Sequence, residues 1–68
     1  MTFADKLKHL RAIKGCTQRE VSIFLSVTES CYGNYEKGLR EPSMEILKEI
    51  CNFYDVSADY LIGRVDFY

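Results

Sequence analysis

Apolar side chains recur at helical spacing in five short runs, and each run is preceded by a hydroxyl residue able to cap a helix. Thr2 with Asp5 three residues on forms a capping-box pattern, followed by Phe3, Leu7, Leu10 and Ile13, with Gly15 as the stop. A second box, Thr17 with Glu20, opens a helix that buries Val21 and Leu25. Thr28 caps a third helix carrying Tyr32 and Tyr35 inward until Gly38 ends it. Pro42 and Ser43 start a fourth, whose Leu47, Ile50, Cys51 and Tyr54 fall at i, i+3, i+4 and i+7. Ser57 caps a last helix with Tyr60 and Leu61, closed by Gly63, and residues 64–68 show no clear period. No stretch alternates like a strand. The pattern predicts a compact all-α domain of five helices, without repeats or linkers.

Residues 17–25 and 28–36 are joined almost directly, through Ser26 and Val27. So short a turn makes the two helices cross steeply, with Val21 and Leu25 packed against Val27 and the inner face of the third helix. A small core cannot swallow that helix whole. Glu29, Ser30, Gly33 and Asn34 are therefore expected to face outward, a short polar surface of the width that enters a DNA major groove. A merely solvated helix face fits the same periodicity. Ile23 and Phe24, beside the buried positions of the second helix, either fold over the edge of the core or mark a contact surface.

Length limits what else the chain does. Sixty-eight residues form one small domain with a marginal core, too short for a two-domain enzyme or a large parallel sheet. With 47% apolar and 28% charged residues, the chain is neither disordered nor of low complexity. Its longest apolar runs are three residues, as at Ile23, Phe24 and Leu25, against the ~20 that cross a bilayer. The charged first fifteen residues contain no secretory core, so a soluble cytoplasmic domain is expected.

The net charge of −1 hides an uneven distribution. Residues 1–40 hold seven basic and four acidic side chains, a net +3, and residues 41–68 hold two and six, a net −4. Such a dipole can offer a basic face to a polyanion, although charge scattered over solvated helices gives the same count. Cys16, Cys31 and Cys51 are widely spaced and accompanied by a single His, His9. That excludes a paired zinc-ligand pattern and leaves three buried, reduced thiols. No nucleophile can be placed within reach of His9, and Glu45 with Glu49 reads as an exposed acidic stripe. No catalytic residue, metal, cofactor or small-molecule substrate is expected.

Several motifs stand in a familiar order: Thr17-Gln18-Arg19-Glu20-Val21, Leu25-Ser26-Val27-Thr28, Tyr32-Gly33-Asn34-Tyr35-Glu36-Lys37-Gly38, Arg40-Glu41-Pro42-Ser43, and Val56 to Gly63. The chain resembles the phage-repressor-like (XRE-type) helix-turn-helix family of small transcription regulators over roughly residues 3–64. The resemblance implies a five-helix, lambda-repressor-like domain. It would bind operator DNA as a homodimer, with helix 28–36 in the major groove and the motif spanning about 17–36 of a single domain 1–68. It implies base contacts by Thr28, Glu29, Ser30 and Asn34, and phosphate contacts by Gln18, Arg19, Lys37 and Arg40. It also implies a structural salt bridge between Arg11 and Glu36.

Three features depart from the family pattern. Ser26 stands where glycine is usual, at a cost of roughly 1 kcal/mol if the backbone there is left-handed. Glu29 places a negative charge at the head of the recognition helix, where it favours the helix dipole, accepts from a cytosine amino group, or penalises unwanted sequences. That helix carries no arginine or lysine ahead of Lys37, so a guanine-rich site is not expected. The dimer surface is expected on the last helix and tail, at Tyr60, Ile62, Phe67 and Tyr68. The alternative reading is a protein-interaction module of antitoxin or adaptor type on the same scaffold.

Overall fold

A computed structural model describes residues 1–66, in which five helices follow one another: α1 (Phe3–Lys14), α2 (Gln18–Leu25), α3 (Glu29–Lys37), α4 (Met44–Tyr54) and α5 (Ala58–Leu61). All five hydroxyl residues expected to cap do so, each accepting a hydrogen bond from the backbone N–H three residues on. At α1 and α2 the box is closed, with Asp5 and Glu20 reaching back to the cap N–H of Thr2 and Thr17 at 3.3 and 2.8 Å. These are local bonds that satisfy otherwise orphaned donors, so they start the helices where the sequence places them.

α2 is capped at its end by Ser26, whose backbone is left-handed (φ 58°, ψ 38°), and α3 begins at Glu29, behind the Thr28 cap. The strain anticipated for a serine there is therefore real. Asp55 ends α4 in the same conformation (φ 55°), which the sequence pattern does not announce.

The core runs through the centre of the bundle: Leu7 and Leu10 of α1, Val21 and Leu25 of α2, Tyr32 and Tyr35 of α3, Ile50 and Tyr54 of α4, Tyr60 and Leu61 of α5. Leu47 and Cys51 pack against it half-buried, as do Cys16 and Cys31, so the thiols are less enclosed than expected. Ile13 departs outright, being 63% exposed. Lys14 beside it lies over the Phe53 ring of α4 at 4.8 Å. Phe24 leans on the Phe53 ring (centroids 4.9 Å apart) and is 48% exposed, while Ile23 is 66% exposed, so only Phe24 folds toward the edge of the core.

Polar bonds tie the helices together inside this shell. Glu36 of α3 is only 3% exposed and receives Arg11 Nε at 2.7 Å, Arg11 Nη2 at 3.1 Å and Gln18 Nε2 at 3.1 Å. The hydroxyls of Tyr32 and Tyr54 share a 2.7 Å hydrogen bond, joining α3 to α4. Arg11 Nη1 also donates to the Cys16 carbonyl at 3.2 Å, fixing the loop that enters α2. Four helices thus converge on one carboxylate and its neighbours, which holds α3 at a set angle to α1 and α2. Among the described residues no strand occurs, and no helix is long and apolar enough to cross a membrane.

Candidate nucleic-acid interface

The start of α2 lies against α3 at Gly33 and shares a groove with the loop that follows α3. At the head of α3, Thr28, Glu29 and Ser30 are exposed, and Asn34 one turn further on is half-buried. The Thr28 hydroxyl is committed to the Cys31 N–H at 3.0 Å, which leaves its methyl group as the outward part. Glu29 and Ser30 make no side-chain hydrogen bond among the described residues, and neither does Asn34. Their polar ends are unspent. The N–H groups of the first two residues of α2 and of α3 likewise have no intrahelical acceptor, as at any helix start, so both ends carry partial positive charge.

Gly33 corrects the expected outward face. It is buried, and a Cβ added there would stand 3.5 Å from Gln18 Oε1. The glycine is the floor on which the Gln18 side chain lies, so the outward surface of α3 is Thr28, Glu29, Ser30 and Asn34 alone. Gln18 is redirected for the same reason. Its amide donates to Glu36 rather than standing free, so a phosphate at this helix start meets its backbone N–H and not the side-chain amino group.

Beside α3, an open depression is lined by Lys8, Gln18, Tyr35, Lys37, Arg40 and Glu41. Three residues expected to hold phosphate, Gln18, Lys37 and Arg40, therefore share one groove, while Arg19 stands exposed on α2 outside its lining. Lys8 is an addition that motif reasoning overlooked. Its signal was present in the spacing, three residues before Arg11 and so on the side of α1 that meets α3. The ion pairs among the described residues are Asp5 with Lys8 at 3.6 Å and Arg11 with Glu36 at 2.7 Å. Arg19, Lys37 and Arg40 consequently keep their full charge for an outside partner.

The Glu36 carboxyl has an electrostatic environment suited to a permanent anion. Burial alone pushes it up, but donors from Arg11, Gln18 and the Tyr32 hydroxyl outweigh that and hold it below the usual carboxylate value. Burial and the shared proton drive the Tyr32 phenol far up, and burial raises Tyr54 to about 12, so both stay neutral donors. Arg11 is spent on this carboxylate and is no phosphate ligand. Among the described residues no group of His, Cys, Asp and Glu is placed to hold a metal ion.

Comparison with known proteins places this geometry. Residues 7–61 match the family model described as Helix-turn-helix. The SPbeta prophage-derived HTH-type transcriptional regulator YonR of Bacillus subtilis (strain 168) is 38% identical over 60 residues, 88% of this chain and 56% of that protein. The HTH-type transcriptional regulator ImmR of the same organism is 36% identical over 64 residues, 94% of this chain and 50% of that protein. The chain thus spans about half the length of the curated relatives it matches. In three dimensions it superposes on the P22 c2 repressor protein, solved in complex with a synthetic operator. The TM-score is 0.87 at 19% identity, covering 91% of this chain and 94% of that one, a likeness of fold. With the two capped helices, the three-residue connection between them and the match across residues 7–61, the chain belongs to the helix-turn-helix family of XRE type.

Proposed function

We propose that the chain is the DNA-binding domain of a cytoplasmic transcription repressor, occupying an operator in double-stranded DNA as a homodimer with α3 in the major groove. The observation that carries this is α3, where the side chains of Glu29, Ser30 and Asn34 make no hydrogen bond among the described residues, together with the cations Arg19, Lys37 and Arg40, which are exposed and in no ion pair there. Asn34 offers the amide that pairs bidentately with adenine, Ser30 adds a single less selective bond, and the Thr28 methyl suits a thymine. Glu29 accepts from a cytosine amino group and repels a misplaced acceptor. Lys37, Arg40, Arg19 and the backbone N–H groups at the start of α2 supply the sequence-independent attraction.

The relatives named as transcriptional regulators and the shared fold of a repressor solved on its operator support this reading. Selection of binding sequences from a random duplex pool tests it. A recovered motif of two half-sites is expected, spaced about 34–36 Å along the duplex, with Asn34→Ala relaxing one base position while affinity for random DNA barely moves. Equal losses on selected and random DNA would remove Asn34 from the reading of bases.

A second reading, a protein-interaction module, draws on one observation: Ile23 on α2 is 66% exposed. Ile23→Ser distinguishes the two. Unchanged DNA retention keeps the first reading, whereas a purified domain that shows no specific DNA retention but forms a stable complex lost in Ile23→Ser favours the second.

A further inference from the structure

On the other side of Thr2 and Phe3 from the DNA-facing groove lies a second open cavity, of about 430 Å³, within the range of small-ligand sites. Phe3, Leu47, Leu61 and Ile62 give it apolar walls, Glu41 stands in its lining, and Lys6 reaches into it. Lys6 is nine-tenths buried, an uncommon state for a lysine. Its Nζ donates to the Tyr60 carbonyl at 2.6 Å and lies 4.8 Å from the Tyr60 ring centroid. Neither contact brings a negative charge, and no carboxylate is in ion-pair distance of Nζ among the described residues. An ammonium has three N–H donors, and one is accounted for by Tyr60. Gly63, in the left-handed region (φ 88°), lies beside Nζ, its Cβ position 4.0 Å away.

A buried cation without a counter-ion, at the side of an apolar cavity, is complementary to an anion that carries its own hydrocarbon. We propose that this cavity binds a small monocarboxylate with an apolar body. The carboxylate accepts from the Lys6 ammonium, and the body lies against Phe3, Leu47, Leu61 and Ile62. Glu41, exposed in the same lining, disfavours ligands that carry more than one negative charge. The site needs no DNA and is independent of the reading of α3.

Octanoate is the probe, added to the ¹⁵N-labelled chain and followed by NMR, with octanol and octylamine as comparisons. Saturable shifts in the millimolar range or below are expected at the amides of Lys6, Leu61 and Gly63, with octanol at least about tenfold weaker and octylamine silent. Lys6→Met keeps the stem and removes the charge, and is expected to abolish octanoate binding. Because that variant also loses the bond to Tyr60, a second one is read beside it. Ile62 is exposed, so Ile62→Glu stays folded, and it is expected to weaken octanoate by about tenfold through like-charge repulsion. Octanol binding as well as octanoate, shifts centred elsewhere, or an unaffected Ile62→Glu overturns the proposal.

Discussion

At the scale of single residues, the pair of Arg11 and Glu36 shows how unequal two partners can be. Glu36 is 3% exposed and Arg11 26%, so removing the arginine strands a carboxylate inside, whereas removing the carboxylate leaves a guanidinium that reaches water. Arg11→Met is expected to cost about 2–4 kcal/mol near neutral pH, somewhat under the range for a fully enclosed pair because Arg11 is partly solvated. The folded-state Glu36 carboxyl lies below its ordinary value, so its stabilising contribution is present above that value and is lost as pH falls through the folded one. In Arg11→Met the lost donors let burial raise the carboxyl, and protonation then relieves the strain. The stability gap between the two proteins should therefore narrow in urea titrations as pH falls from neutral through the ordinary carboxylate range. A gap of constant size would mean that the charge on Glu36 is not what Arg11 compensates.

Burial of individual residues was the part of the molecule least legible beforehand. Ile13 continues the apolar stripe of α1 but is left 63% exposed. Gly33 faces outward by period, yet the long Gln18 side chain bends over it. Lys6 looks like a surface lysine and instead closes onto a carbonyl 54 residues away. Each outcome depends on which neighbour arrives in space, which helical spacing does not encode.

At the scale of elements the sequence is far more transparent, because a cap is a bond between residues three apart and needs no partner from elsewhere. All five helix starts stand where Thr2, Thr17, Thr28, Ser43 and Ser57 put them. The turn between α2 and α3 was legible in length, and its geometry only conditionally, since left-handed backbone at Ser26 had to be observed. Ser26→Gly removes that strain and is expected to stabilise the domain by up to about 1 kcal/mol, offset in part by a more mobile unfolded chain. The measurement is the denaturation midpoint at unchanged slope; a lower midpoint would show that the serine side chain contributes something the turn needs. Gly33→Ala is the companion case inside a helix. The new methyl would meet Gln18 Oε1 at an ordinary 3.5 Å, and helix propensity favours it by up to about 1 kcal/mol. A stability loss in that variant would show that Gln18 cannot lift even slightly.

At the scale of the whole molecule, charge and size govern how DNA is held. The cations Lys37 and Arg40 stand at the end of a helix that has none ahead of Lys37, so in the proposed complex affinity and base choice reside in different residues. Arg40→Ala is expected to weaken every duplex alike and to flatten the dependence of log K on log salt by about 0.9, the value for one phosphate. An unchanged slope takes Arg40 out of the backbone contacts. Of the surface expected for the dimer, Tyr60 is buried and Ile62 exposed, while Phe67 and Tyr68 lie outside the described residues, so the proposed dimer finds only a narrow apolar contact among the described residues. So narrow a contact predicts a domain that sediments as a monomer at micromolar concentration and pairs when a two-site duplex is supplied.

The division of labour within α3 has an evolutionary reading. Tyr32, Tyr35 and Glu36 are tied into the interior, while the ends of Glu29, Ser30 and Asn34 support nothing behind them. Those three positions can drift through many amino acids with the scaffold intact. A duplicated copy of this domain could acquire a new genomic address in a few substitutions, without first passing through an unfolded ancestor.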